Sequence, residues 1–329
     1  MSETSVVKPG SRLAGFSVMA EVGRGAASII YLVQDPKTKQ IWALKHVEKK
    51  TAKDQRFLDQ AETEAEVSSK LTHPGVRKVE RCIKNRALLN VKELFLVMEY
   101  IDGVSVEKHP PKTLERAVEI FHQTADALAH MHEKGWVHAD MKPNNIVVCE
   151  DGAVKVIDLG QSCPIGTVKE RIQGTPDYIA PEQVHLRPIT PKTDIYNLGA
   201  TMYWVLTHQN IPTAIPKGDS LLGALDDKLI EKPKPIKSLS PGLPDMLAEL
   251  VMQSVEVDAD RRPESMRWMA ERLGLIHAKL VAERNMRSAR KRGEPVMHEQ
   301  DETGPLRASA PAHESDDLDI DELMRGESA

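Results

Sequence analysis

The sequence predicts an α+β chain of two lobes: a small strand-rich lobe with one main helix, then a larger, mostly helical one. Three observations predict this. At 329 residues the chain has room for two domains or lobes around a substantial core. Between Phe16 and Gly103, short apolar runs broken by glycine turns read as strands, with a single helical stretch among them. From Leu114 onward, apolar residues recur instead at spacings of three and four.

Composition narrows the function classes. A hydrophobic fraction of 40% and a charged fraction of 28% belong to soluble globular proteins. Aromatics are only 4%, so aliphatic side chains and the 13 methionines must fill the interior. No run approaches the roughly 18 apolar residues of a membrane span. The start, Met-Ser-Glu-Thr-Ser, lacks the basic region and apolar core of a signal peptide. Cys82, Cys149 and Cys163 have neither metal-ligand spacing nor the pattern of a disulfide framework, which suits a reducing cytoplasm. The net charge of −5 is unevenly spread: Glu299 to Ala329 holds ten acidic and two basic residues, a net of −8. Met1 to His298 is left with 42 basic against 39 acidic residues, or +3, and shows no face suited to nucleic acid.

Residues 1–12 are polar, broken at Pro9-Gly10, and read as a loose leader. A strand from Phe16 to Val22 runs into Gly23-Arg24-Gly25-Ala26-Ala27-Ser28 and a second apolar run, Ile29 to Val33. That turn is either a cradle of backbone N–H groups for phosphate oxygens or an ordinary glycine hairpin. The next strand, Ile41-Trp42-Ala43-Leu44-Lys45, ends an apolar run in a lysine, which needs an anionic partner if it is buried. Asp54 to Leu71 reads as a helix ended by His73-Pro74-Gly75. Its Glu62, Glu64 and Glu66 are candidates for that partner or members of a solvated face.

A helix from Leu114 to Lys134 buries Ala117, Ile120, Phe121, Thr124, Leu128 and Met131, and Gly135 ends it. The loop after it, His138-Ala139-Asp140-Met141-Lys142-Pro143-Asn144-Asn145, is followed by Val156-Ile157-Asp158-Leu159-Gly160. Two strands around the Glu150-Asp151-Gly152 turn separate these stretches and carry Asn145 and Asp158 back to one place. An aspartate to orient a hydroxyl, an amide and a carboxylate to hold metal, and a lysine between them suit phosphoryl transfer.

Five stretches in this order resemble the eukaryotic-type protein kinase family: Gly23-x-Gly25-x-x-Ser28-x-Ile30, Trp42 to Lys45, His138 to Asn145, Asp158-Leu159-Gly160 and Thr175 to Glu182. The resemblance covers roughly Phe16 to Leu275 and implies the two-lobed protein kinase fold. It implies ATP and Mg2+ as cofactors and protein substrates as partners. It makes Asp140 the catalytic base, Lys142 the cation beside the transferred phosphoryl group, and Asn145 and Asp158 the metal ligands. ATP would be held by Val22, Gly23 and Gly25 of the loop, by Lys45 with Glu64 as its partner, and by Ile30, Ala43 and Val147 around the base. Met98 would back the pocket, and the connecting segment would offer backbone groups near Glu99 and Ile101. Thr175 beside the catalytic aspartate, Asp194 under the catalytic loop, and the pair Glu182 and Arg262 would be structural.

The departures are informative. Ala139 stands where the family usually has an arginine that clamps an activation-loop phosphate, so competence without that phosphate is expected. Leu159 replaces a phenylalanine and Ser28 a glycine; neither removes a reacting group. Lys142 favours the serine/threonine class.

Past the motifs, Thr193 to Leu206 and Leu243 to Val255 read as helices, and 207–244 as a surface excursion. Met266, Met269, Leu273, Ile276 and Leu280 form a stripe read as core packing rather than a partner-binding face. The expected organisation is a leader at 1–12 and a kinase domain at 13–277, with its upper lobe at 13–98, hinge at 99–103 and lower lobe at 104–277. A basic helical extension at 278–298 and an acidic disordered tail at 299–329 complete it, the tail offering possible partner docking through Leu318 to Met324. The function expected is a cytoplasmic serine/threonine kinase. The alternative is a pseudokinase scaffold, although Lys45, Asp140, Asn145 and Asp158 are all present.

Overall fold

Alternation along single strands builds the upper lobe. In β3 (Ser28–Gln34), Ile29, Tyr31 and Val33 are buried while the residues between them are half-exposed. They pack with Phe16 and Val18 of β2 (Phe16–Arg24), Leu44 of β4 (Ile41–Glu48), and Phe95 and Val97 of β6 (Asn90–Glu99). The opposite face presents Ala43, Val47, Leu94, Leu96 and Met98 to Leu58 and Ala61 of α1 (Gln55–Ser69). Because strand side chains alternate, Lys45 falls on this second face, toward α1. The sheet is antiparallel throughout, in the order β1-β2-β3-β4-β6-β5, with β1 at Arg12–Leu13 and β5 at Val79–Ala87.

The structure is a computed structural model and describes residues 7–25, 27–87, 90–215, 227–292 and 318–326.

The chain leaves β6 through Tyr100 to Asp102 and enters β7 (Gly103–Ser105), which pairs with β9 (Ile146–Cys149), itself paired with β10 (Val154–Val156). Gly103 is required here: a Cβ would lie 2.6 Å from the Val148 carbonyl oxygen. α2 (Leu114–Glu133) is capped by Thr113, whose hydroxyl accepts from Arg116 N–H, and buries the stripe its spacing predicts. Gly135, at φ 83°, turns the chain into β8 (Trp136–Val137), which pairs with β11 (Cys163–Pro164). After α3 (Pro181–Val184), α4 (Pro191–Thr207) runs through the centre of the lower lobe, buried at nearly every position. α5 (Asp245–Ser254) and α6 (Met266–Lys291) pack around it.

In α6, Met266, Met269, Leu273, Ile276 and Leu280 are buried in the lower-lobe core. Its basic end continues helically to Lys291, and 293–298 lie outside the described residues.

Three expectations need correction. The end of the supposed leader is attached to the sheet: Gly10 N–H donates to Val18 O at 2.8 Å and Val18 N–H to Ser11 O at 2.9 Å. The stretch after α4 is more than a surface excursion, since Ile211, Ala214, Ile236 and Leu243 are buried; 216–226 lie outside the described residues. Within the tail expected to be disordered, Leu318 to Gly326 fold against the lower lobe, with α7 at Ile320–Arg325. The rest of that tail, 299–317 and 327–329, lies outside the described residues. Among the described residues no helix is long and apolar enough to cross a membrane.

Candidate active site

The site lies where the two lobes meet, and strand register sets its upper half. Lys45 pairs with Ile30 on one side and Leu96 on the other, which aims its amine at α1. Lys45 Nζ lies 2.7 Å from Glu64 and 3.5 Å from Asp158 Oδ1. Burial pulls the Lys45 pKa down, but the two carboxylates outweigh it, so the net shift is upward. Glu64 also receives Arg77 at 3.1 Å. The other two glutamates of α1 turn elsewhere, Glu62 to Lys84 and Glu66 to Lys70.

Met98 is fully buried behind Ala43, and Val147 is buried below them, while Ile30 is half-exposed. Val22 is exposed near the turn, where Gly25 N–H donates to Ser28 O at 2.8 Å. A Cβ at Gly25 would lie 2.8 Å from Ser28 Oγ, so the turn closes tightly upon that serine. At the hinge, Glu99 N–H donates to Lys78 O, and the Glu99 carboxylate meets Lys155 at 2.6 Å. Ile101 follows in the same connecting segment and is half-exposed.

The lower half is a hydrogen-bonded loop resting on α4. Buried Asp194 accepts from His138 N–H and Ala139 N–H, both at 2.8 Å, and from His132 Nε2 at the same distance. Burial alone would raise the Asp194 pKa; the bonds and charge of His132 and His138 lower it overall. These bonds hold Ala139 at φ 62°, a left-handed backbone that costs an alanine about 1–2 kcal/mol. The Ala139 side chain joins a small apolar cluster with Val137, Cys163 and Ile189.

Asp140 is clasped from two sides: Lys142 Nζ donates to Oδ2 at 2.8 Å and Thr175 Oγ1 to Oδ1 at 2.9 Å. Lys142 also donates to the Thr175 hydroxyl, closing a triangle. Asn145 Nδ2 donates to Asp140 O at 2.8 Å. A carbonyl only accepts, so the Asn145 Oδ1 points away from it. His138 Nδ1 accepts from Asp140 N–H, which leaves the proton on Nε2 to donate to Ile157 O at 3.1 Å. That bond ties the loop to the strand end carrying Asp158. Asp158 itself is left-handed at φ 64°, and Lys45 holds its carboxyl below the usual range against the opposing effect of burial.

Behind the loop, Glu182 receives Arg262 Nη1 at 2.8 Å and Nη2 at 3.0 Å, together with the Thr193 hydroxyl. Arg262 spends its other three N–H groups on the carbonyls of Glu256, Lys192 and Val257. All five guanidinium donors are thereby used.

Sequence reasoning missed Arg77, His132 and Gln183. Gln183 Nε2 donates to Ala139 O at 2.8 Å and to Gln173 O at 3.1 Å, while its Oε1 accepts from Ala180 N–H and Asn197 Nδ2. No sequence pattern marks Gln183, which stands beside Glu182 in a four-residue helix buried at every position.

The chain matches the protein kinase domain family over residues 16–272. It is similar to the serine/threonine-protein kinase PknB of Mycobacterium tuberculosis, 29% identical over 266 residues, covering 78% of this chain and 42% of that protein. It is also similar to the serine/threonine-protein kinase PrkC of Bacillus subtilis, at 26% identity over 265 residues, 78% of this chain and 40% of that one. PknD of Chlamydia pneumoniae, a serine/threonine-protein kinase, shows 26% identity over 291 residues, with 78% and 30% covered. This chain belongs to the protein kinase domain family. It spans about two fifths or less of the length of these relatives.

Proposed function

We propose that the chain is a protein serine/threonine kinase, moving the γ-phosphoryl group of ATP to a serine or threonine hydroxyl of a protein substrate. The observation that carries this reading is the clasp on Asp140. Lys142 and Thr175 fix its buried carboxylate, Asn145 donates to its backbone carbonyl, and His138 links the same loop to the strand end of Asp158.

In this reading Asp140 orients the substrate hydroxyl and accepts its proton. Lys142 has three donors and uses two on Asp140 and Thr175; the third stabilises charge on the transferred group. Lys45, steered by Glu64, holds phosphate oxygens further back, under the turn of Val22, Gly23 and Gly25. The base lies between Ile30, Ala43 and Val147, against Met98, with backbone contacts at Glu99 and Ile101. Thr175, Asp194, and the Glu182 and Arg262 pair hold the frame in place.

The residues present fit magnesium. Asp158 is kept ionised by Lys45 yet its side chain remains 46% exposed, and Asn145 has an amide oxygen that its bond to Asp140 O does not use. Among the described residues no cluster of three or more His, Cys, Asp or Glu forms a metal cage. Two protein ligands with phosphate and water completing the shell is how this ion is usually bound. Bound there by Asn145 and Asp158, it would offset charge on the phosphate oxygens.

The free cysteines Cys82, Cys149 and Cys163 suit a cytoplasmic setting. The test is transfer of label from ATP, with magnesium, to a generic basic protein by the purified chain. Wild type is expected to exceed Asp158→Ala by at least about a hundredfold, comparable with loss of other groups that stabilise developing charge. Equal transfer by the two sinks the proposal and leaves the pseudokinase reading.

A further inference from the structure

One segment is packed as a ligand is packed. Leu318 to Gly326 lies across the end of the lower lobe, joined to α6 by the 25 residues between Arg292 and Leu318. It first adds itself as a strand: Leu114 N–H donates to Leu318 O at 2.8 Å and Ile320 N–H to Lys112 O at 2.9 Å, with Thr113 opposite Asp319. Main-chain bonds of this kind are how extended peptides attach to a fold. It then turns into α7, a helix with its own signals at both ends. Asp319 accepts from Asp321 N–H and Glu322 N–H, and Gly326 closes the helix at φ 73°.

The groove supplies the matching parts. Ile320 and Leu323 are buried in the lower-lobe core and Leu318 packs beside them. Gly242 N–H donates to Leu323 O at 3.2 Å. Any side chain at Gly242 would collide with the segment, since a Cβ there lies 2.7 Å from Leu323 Cδ2 and 3.2 Å from its Cα. At the rim, His208 Nε2 lies 3.3 Å from Asp321 Oδ1. The recognised pattern is therefore Leu-Asp-Ile-x-x-Leu, with apolar anchors inward and acidic residues at the edge.

We propose that this groove is a docking site for a short acidic–apolar linear motif, and that its occupant is the chain's own Leu318–Gly326 segment, held in cis as a tethered and exchangeable ligand. A six-residue helix does not persist alone, so the segment's order comes from the groove. The gain from three apolar anchors is of the same order as the cost of ordering nine residues, which leaves the bound and released states close in energy. A protein bearing the same motif would compete for the groove only by displacing the tether.

The test uses the full chain and a labelled peptide with the sequence of residues 316–326. Leu323→Asp removes the anchor that faces Gly242 and vacates the groove; Gly242→Val fills it. A tether gives an effective concentration on the order of 1 mM. With an intrinsic dissociation constant on the order of 100 µM, the peptide should bind Leu323→Asp saturably and wild type about tenfold more weakly. Gly242→Val should bind it at least tenfold more weakly than Leu323→Asp.

Amide exchange localises the effect. In Leu323→Asp, the Leu114 and Gly242 amides should lose protection while Val205 in α4 keeps it. Loss of protection throughout the lower lobe would mark Leu323 as an ordinary core residue and overturn the proposal. Equal peptide binding to wild type and Leu323→Asp, or none to the latter, would do the same. A wild-type dimer in light scattering that Leu323→Asp abolishes would place the segment in trans and overturn it too. None of these readouts depends on kinase activity.

Discussion

The side-chain amide of Gln183 donates a hydrogen bond to the carbonyl of Ala139 at 2.8 Å, across 44 residues of sequence. The same nitrogen reaches Gln173, so one buried side chain joins the catalytic loop to the segment before Thr175. Ala139 has no side chain to form such a link. Replacing Gln183 by leucine is expected to lower kcat about tenfold to a hundredfold through mispositioning, while the KM for ATP changes less than about threefold. Steady-state phosphorylation of a peptide substrate measures both, and a loss confined to KM contradicts the assignment.

Because that link is made without phosphate, treatment of the purified chain with a phosphatase is expected to leave more than about half of the proposed kinase activity. Mass spectrometry confirming removal of phosphate is paired with the assay. A loss of tenfold or more would show that Thr167, Ser162 or another hydroxyl must be modified first.

Glu64 is shared by Lys45 and Arg77, at 2.7 and 3.1 Å. Lys45→Met removes the amine held between Glu64 and Asp158, the group proposed to meet the nucleotide, and is expected to lower kcat/KM by at least about a hundredfold, comparable with loss of other groups stabilising transferred charge. Arg77→Leu leaves Lys45 in place and should cost no more than about tenfold. Kinetics at varied ATP separate the two, and an equal loss would mean that Arg77 fixes the position of Glu64.

Asp158 and Asp194 both have folded pKa values below the model-peptide value of 3.8. A depressed carboxylate contributes stability that is fully present above its unfolded pKa and lost as pH falls through that value toward the folded one. Urea midpoints are therefore expected to hold near neutrality and drop below about pH 5. In Asp194→Asn, one buried contributor is gone and the decline should be shallower. An unchanged slope would exclude Asp194 as a source of acid sensitivity.

Arg262→Ala leaves Glu182 buried without its cation, and such a loss typically costs about 3–5 kcal/mol. Chemical denaturation of Arg262→Ala against the double variant Arg262→Met with Glu182→Gln measures it. The double variant should recover more than half of the lost stability, because it leaves no isolated charge.

The sequence made some of this legible and hid the rest for a physical reason. Asp140, Lys142 and Asn145 sit within six residues, and with Asp158 and the resemblance of the whole run to the kinase family they suggest phosphoryl transfer. The expected helices over 114–134 and 243–255 match α2 and α5 to within two residues at each end, because their apolar periodicity and boundaries are local. Arg77, His132 and Gln183 act through partners 13, 62 and 44 residues away, which local pattern does not encode. The segment around α7 is half legible: Leu318 to Met324 suggest docking, but ten acidic residues dominate the tail and point to disorder, whereas three apolar anchors pack it on this chain's own lower lobe.

Ala139 is enclosed by Val137, Cys163 and Ile189, brought together from three separate parts of the chain. A bulky side chain at that position would meet Val137 of β8, Cys163 of β11 and Ile189 first. Placing an arginine there would set a charged group among three apolar neighbours, so changes at Cys163 and Ile189 are expected to accompany it.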